Sequence, residues 1–554
     1  MKKILTVISL AAVVLLTSCI KETFPQTNTI TAEQAANAPG AYKNFVDAIT
    51  NALCGQFTYA GDDSSRPYDF GYPSFFLQRD VMGQDMAIED AGSEWYTTWY
   101  TCGPALGPGY AITQMPWTYY YGWIKNCNVV IAAGSDQDDE HKYGAGIAHA
   151  MRAMFYMDLA RMYAPENYRQ NKEAITVPIV TETTTTTEAN DNPRATNEAI
   201  WAFILEDLNK AEVELDGYVR SDKYTPDLSV VYGLKARAYL EMGEWGDAKT
   251  YAKKAQEGYT LLTQEQYLSK TEGFNKPNAS WMFACTFKSD DKNIQLNDAD
   301  SCWGSQMIIE VSASECGYSA NYVGPKRIDA HLYSTIPATD FRRMCWIDPA
   351  IDEMAKADAL VALEAYTDDP AGVYNTGYKV SARKSVGLMP LKFRPKDGEH
   401  ADQYAAFTVA VPLMRVEEMY LIEAEAAGML NEGEGQALLT AFAQTRDAAY
   451  VYGQHNEGYN SMFASAFQNE VWWQRRVELW GEGFATFDIK RLAKGIIRSY
   501  AGTNHIEGYC WNTDSVPAWM TLCFVNTEAN YNKALVQNPT PIQPDADSDP
   551  YNFN

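Results

Sequence analysis

The chain is short of positive charge: 45 lysines and arginines stand against 71 aspartates and glutamates, a formal net charge of −26. A phosphate backbone is held chiefly by clustered Lys and Arg, so this deficit argues against nucleic acid as a partner and equally against a polybasic hold on a membrane. Only six histidines occur, and they form no tight cluster. The ten cysteines show neither Cys-x-x-Cys nor a Cys/His metal spacing. Gly-x-Ser-x-Gly, His-Glu-x-x-His, a phosphate-binding loop and a dinucleotide fingerprint are missing, and with them the signatures of the reactions they serve. A glycosidase needs only two carboxylates at a suitable separation, so a surface hydrolase stays open.

Long apolar runs are scarce too. The one at residues 4–16 follows Lys2 and Lys3, has the length of a signal-peptide core, and is too short to span a bilayer. Leu16-Thr17-Ser18-Cys19 then resembles the bacterial lipobox, in which the cysteine becomes the lipidated first residue of the mature protein. Several acyl chains on Cys19 would hold the protein stably at a membrane, where a single chain is marginal. Glu22 resembles, weakly, the acidic signal that sends such lipoproteins to the cell exterior. Cleavage after residue 18 removes Lys2 and Lys3, moving the net charge from −26 to −28 and leaving nine cysteines besides Cys19. An odd number cannot all pair; most are expected as small buried apolar residues, with one or two disulfides among them.

Aromatic residues are plentiful, with 36 tyrosines and 14 tryptophans. In residues 61–122 glycine and proline punctuate a dense aromatic text, which predicts long structured loops with short helices. Trp95, Tyr96 and Trp99, with Arg79 and Asp80 upstream, form the leading ligand-site group. A flat ring offers apolar area to the C–H face of a sugar, and neighbouring polar groups bond its hydroxyls. The competing reading places these rings in the core beneath the loops. Trp303, Tyr318 and Tyr322 form a second group, open to the same alternative. The acidic stretches at residues 136–140 and at Asp298 with Asp300 lack the order of a calcium loop and read as solvated.

Elsewhere the periodicity is helical. Residues 20–40 look like a tether, and Tyr42, Phe45, Val46, Ile49 and Leu53 begin the packed chain. Helices are predicted over residues 119–133 and 145–163, and again to residue 215 after a cap at Thr196 or Asn197. Residues 181–187 read as irregular and exposed. Tyr232, Ala236 and Tyr239, then Ala248, Ala252 and Ala255 around residues 243–246, resemble a tetratricopeptide unit, whose small residues let paired helices approach closely. Ala424, Ala437 and Ala441 repeat the spacing loosely. Short strands are expected at residues 281–287, 306–312, 378–380 and 391–393, and an extended surface tail at residues 539–554.

Residues 414–492 carry two strong helical patterns. Val416, Met419, Ile422, Ala426 and Met429 share one face, and Glu423 falls within it. A buried carboxylate needs a partner, and Arg415, Arg475 and Arg476 are the nearest candidates. Arg475, Arg476, Glu478, Glu482 and Asp488 read as an internal ion-pair network rather than as acids and bases.

An arginine entering a helix that reads Glu-x-Tyr-Leu-Ile-x-Ala-Glu-Ala, then Arg475-Arg476-x-Glu478-Leu479 running through Glu482 to Asp488 and Arg491, resembles the C-terminal signature of the SusD/RagB family. Ile204, Asp207 and Leu208 match that family's Ile-x-x-Asp-Leu helix, and residues 337–342 resemble another of its motifs. At residues 164–167 its usual Gly-Asp-Val-Pro is replaced by Ala-Pro-Glu-Asn. The resemblance implies a mainly α protein: a right-handed superhelical scaffold of about four tetratricopeptide-like helix pairs, with loop-rich, short-strand insertions forming the ligand face. It implies a signal peptide at 1–18, a tether at 19–40, an N-terminal half at 41–260 and a C-terminal half at 261–554, with loops from both halves meeting at one site. It further implies a lipid-anchored outer-membrane protein facing the cell exterior. Such a protein captures a glycan, without catalysis or cofactor, for a SusC-like TonB-dependent transporter. A glycoside hydrolase, a peptide binder and a pure scaffold remain as alternatives.

Overall fold

Short polar side chains start the long helices by accepting amides that the first helical turn leaves unpaired. Asp138 accepts from His141, Thr196 from Ala199, and Asp227 from Ser229 and Val230. The computed structural model describes residues 40–56, 66–89, 95–457 and 464–553. The signal segment, Cys19 and the tether lie outside the described residues, as do parts of the loop region at 61–122. Residues 1–44 form one unit, of which only the last five are described, and Phe45–Asn554 form another.

The chain is mainly helical. Its longer helices are α1 (Ala41–Asn51), α2 (Tyr72–Met82), α3 (Ala111–Ala132), α4 (Asp139–Tyr163), α5 (Asn197–Glu214), α6 (Leu228–Met242), α7 (Trp245–Ala255), α8 (Lys356–Leu363), α9 (Val416–Leu430), α10 (Glu432–Ala443), α11 (Ala466–Glu478) and α12 (Ala485–Arg491). Consecutive helices pack side by side from α3 through α7, α7 continues onto α9, and α9 packs on both α10 and α11. Helix α12 returns to α2 and α4.

The α6–α7 unit behaves as its spacing predicts. Gly243 closes α6 at φ 77°, a conformation that disfavours a side chain, and Ala236, Ala248, Ala252 and Ala255 are fully buried. Tyr239 and Tyr251 stack 5.6 Å apart on the half-buried side. The second small-residue set is corrected. Ala424 is buried, but Ala437 and Ala441 face solvent. Helices α9 and α10 meet at glycines instead, where a Cβ on Gly435 would lie 2.3 Å from the Cα of Gly428.

Strand β2 (Trp281–Thr286) pairs antiparallel with β4 (Ala410–Arg415), placing Ala284 opposite Pro412 and Thr286 opposite Ala410. A two-residue ladder joins β1 (Met86–Ala87) to β3 (Arg327–Ile328). The other expected strands do not form. Residues 303–307 are helical, and so are 376–380, while 391–393 form no ladder and bend at 392–393. These apolar runs fill a satellite core around Ile309, Ile347, Leu363 and Val386, where burial without a pairing strand suffices. Helix α3 also starts earlier than predicted, at Ala111, and runs through Pro116. All nine described cysteines are free thiols, so the expected disulfides are absent among them.

The charges of residues 414–492 are clamps, though not with the expected pairing. Glu423 accepts from Gln256 at 2.7 Å. Arg415 instead reaches Glu417, Glu478 and Glu482, Arg475 reaches Asp488, and Arg476 reaches Asp85 and Glu457. Arg342, Lys392, Arg415 and Arg446 face Asp340, Glu417, Glu478 and Glu482, four cations against four carboxylates, all buried. Such a cluster tolerates burial because every charge has an opposite neighbour.

Candidate functional site

Three contacts bring the segments on either side of α2 against loops more than 200 residues later. The β1–β3 ladder is the first, and the buried Glu89–Arg327 ion pair extends it. Gln306 then donates to the carbonyl of Pro67 and accepts from Lys326, whose ammonium lies 5.0 Å from the centre of the Tyr96 ring. Across this seam the half-buried Trp95 ring meets Tyr318 edge-on at 5.9 Å, and Tyr318 meets Tyr322 at 5.6 Å. Tyr322 is 52% exposed. The series of rings therefore begins at the seam and ends in solvent.

Tyr318 and Tyr322 are presented by one wide helical turn, Tyr318–Tyr322, a geometry that often marks functional sites. Gly317, at φ 92°, precedes it, and a Cβ there would lie 2.9 Å from the Phe407 ring. The turn is pinned by Asp300, which accepts from the Gly317 amide at 2.8 Å, and by Ser305, which accepts from the Tyr318 amide at 2.9 Å. Burial pushes the Asp300 carboxyl up to about 6 against that amide bond, with Asp298 adding to the rise. Tyr404, 39% exposed, donates to Asp298 at 3.2 Å on the same side.

The remaining predicted residues lie inside. Trp303 is fully buried, edge-on to Phe393 at 5.0 Å and to Phe76 at 6.2 Å. Tyr96 and Trp99 are buried and packed on each other at 5.4 Å, with Trp99 also against Tyr68 and the Tyr96 hydroxyl bonded to Ser74. Arg79 donates to the Phe75 carbonyl and pairs with Asp158, its guanidinium 4.4 Å from the Phe487 ring centre. Asp80 accepts the amides of Gly483 and Ala485, and burial pushes its carboxyl up to about 7 against them. Asp80 ties α2 to the start of α12 and Arg79 ties it to α4 and to Phe487 of α12, so both hold the scaffold rather than face solvent. Of the eight side chains expected to meet a ligand, Trp95, Tyr318 and Tyr322 come together at the surface.

Tyr404 was missed by sequence reasoning. It stands alone in a polar stretch, in a four-residue helix capped by Asp402, so no periodicity singles it out. Among the described residues no group of His, Cys, Asp and Glu is placed to hold a metal ion. What the surface offers is ring faces, phenol hydroxyls and carboxylates, which suit reversible stacking and hydrogen bonding to a polyhydroxylated ligand.

Two family models match the sequence. One, described as the SusD family, spans residues 364–543, and the other, described as starch-binding associating with outer membrane, spans residues 79–240. No curated protein matches the chain. Among solved structures, a SusD-like carbohydrate binding protein from Bacteroides vulgatus is 22% identical with a TM-score of 0.68, covering 90% of this chain and 97% of its own. A laminarin binding SusD-like protein is 18% identical with a TM-score of 0.60, covering 90% and 99%. Surface glycan-binding protein A from Bacteroides fluxus is 15% identical with a TM-score of 0.59, covering 91% and 99%. These likenesses concern the fold. The matched segments hold α3 to α6 in one case and β4 with α9 to α12 in the other, and on that ground the chain belongs to the SusD/RagB family.

Proposed function

We propose that this protein is a cell-surface lipoprotein that binds a glycan on the face formed by Trp95, Tyr318 and Tyr322 and passes it to a SusC-like TonB-dependent transporter. The observation that carries the reading is the series of rings from Trp95 across Tyr318 to the exposed Tyr322, built from both halves of the chain. Sugar rings stack on such faces at little entropy cost, and the nearby phenols and carboxylates offer partners for hydroxyl groups. The family, and neighbours of the same fold that bind laminarin or surface glycans, support the ligand class. In this reading Arg79, Asp80, Tyr96, Trp99 and Trp303 hold the face from beneath. Cys19 carries the anchor.

Binding is reversible and non-catalytic, so release to the transporter stays possible. Incubation with oligosaccharides followed by chromatography should return them at their original length, and shortened products would place the protein among the hydrolases. In cells, Cys19→Ser should abolish incorporation of labelled fatty acid and release the protein from the membrane fraction. Detergent extracts of the wild type should yield the transporter barrel as a co-purifying partner. Incorporation that persists in Cys19→Ser would contradict the anchor, and solitary purification would contradict the partnership.

A further inference from the structure

Among the described residues, three acidic ones, Asp298, Asp300 and Glu315, stand around Tyr318 and Tyr322. Asp298 accepts from the exposed Tyr404 hydroxyl, Asp300 holds the amide of Gly317, and the carbonyl of the exposed Glu315 accepts the Tyr322 hydroxyl at 3.0 Å. The backbone fixes these positions: Asn297, Asp298 and Ala299 have φ of 49°, 55° and 63°, and Glu315 has φ 58°. Side chains rarely adopt such values, so the acidic loops are held in place by their surroundings. Burial raises the Tyr322 phenol first, and Asp300, Cys316, Asp298 and Glu315 add to the rise in that order; at Tyr318 burial is again first and Asp300 next. Lys326 and Arg327, cations at the seam, are both buried, the first over Tyr96 and bonded to Gln306, the second paired with Glu89.

We propose that Asp298, Asp300 and Glu315 make this face select by charge, accepting uncharged glycans and rejecting those that bear uronate or sulfate groups. This rests on the glycan-binding reading of the Trp95–Tyr318–Tyr322 face. A carboxylate or sulfate stacked on those rings would meet like charges carried on constrained backbone, which is how repulsion builds specificity. Hydroxyl groups meet the same carboxylates as hydrogen-bond acceptors. The net charge of −26 opposes the approach of polyanions in the same sense.

Native-gel retardation of the mature protein tests this with two sets of polysaccharides. Starch, laminarin and mannan form the neutral set; polygalacturonate, alginate and chondroitin sulfate form the acidic set. Retardation is expected from a member of the neutral set and from no member of the acidic set. The Asp298→Asn/Glu315→Gln double variant should gain retardation by acidic polysaccharide of about tenfold, the factor that ~1.4 kcal/mol of removed repulsion gives. Wild-type retardation by the acidic set equal to or above the neutral set would overturn the proposal while leaving the glycan site standing, as would a double variant without that gain. Retardation by no polysaccharide in either set would overturn the glycan site itself, and the charge selection with it.

Discussion

Glu478 shows what single side chains contribute here. It lies within 3.2 Å of Arg342, Arg415 and Arg446, all fully buried. Burial alone would raise its carboxyl, yet Arg446, Arg415 and Arg342 together hold it well below the usual carboxylate range. Neutralising Glu478 leaves four buried cations against three carboxylates, Asp340, Glu417 and Glu482, so Glu478→Gln should destabilise the fold by ~3–5 kcal/mol in urea denaturation at pH 7. Because the folded value is depressed, this contribution is complete above the unfolded value of about 4.5 and is lost as pH falls toward the folded one. The gap between wild type and variant should therefore shrink below pH ~4.5; a gap constant to pH 3 would contradict the network. Trp303→Ala, which empties a core site between Phe76 and Phe393, should cost ~3–5 kcal/mol. A variant as stable as wild type would return Trp303 to the list of surface rings. The sequence could not rank these tryptophans. Trp95, Trp99 and Trp303 have the same chemistry, and only the neighbours brought by the distant chain decide which one is covered.

At the scale of elements, the long helices were readable because their caps and spacing are local. Thr196 and Gly243 stand where α5 begins and α6 ends. Helix α3 was half missed because Pro116 and the glycines before it imitate a loop. The strand at residues 306–312 failed because a short apolar run fits a buried helical turn as well as a ladder. The partner of Glu423 failed for a different reason: α9 is buried on nearly every side, so sequence proximity did not say which arginine would face which carboxylate. Glycines separate the close crossings from the open ones. Gly435→Ala would drive a Cβ against the Gly428 backbone and should lower stability by ~1–3 kcal/mol. Gly246→Ala in α7 meets nothing within 4 Å and should raise it by ~0.5–1 kcal/mol. Thermal unfolding of the two variants checks both signs, and equal shifts would contradict the close α9–α10 approach.

At the scale of the whole molecule, the family was legible in the Arg-Glu helices that now form the clamps, and the position of the face was not. A two-residue ladder and one buried ion pair set Trp95 beside Tyr318, across more than 200 residues. No periodicity within either segment encodes that meeting. The face and its scaffold also separate energetically: Trp95 is half-buried and Tyr322 exposed, whereas the rings beneath are enclosed. Loss of ligand should then be separable from loss of fold. Calorimetric titration with the polysaccharide that the wild type binds, run on Trp95→Ala and Tyr322→Ala, measures this most directly. The proposed site predicts affinity weakened by about tenfold or more in each variant, the loss of ~1.4 kcal/mol or more of stacking, with the unfolding midpoint of Tyr322→Ala unchanged. Wild-type affinity in both variants would contradict it.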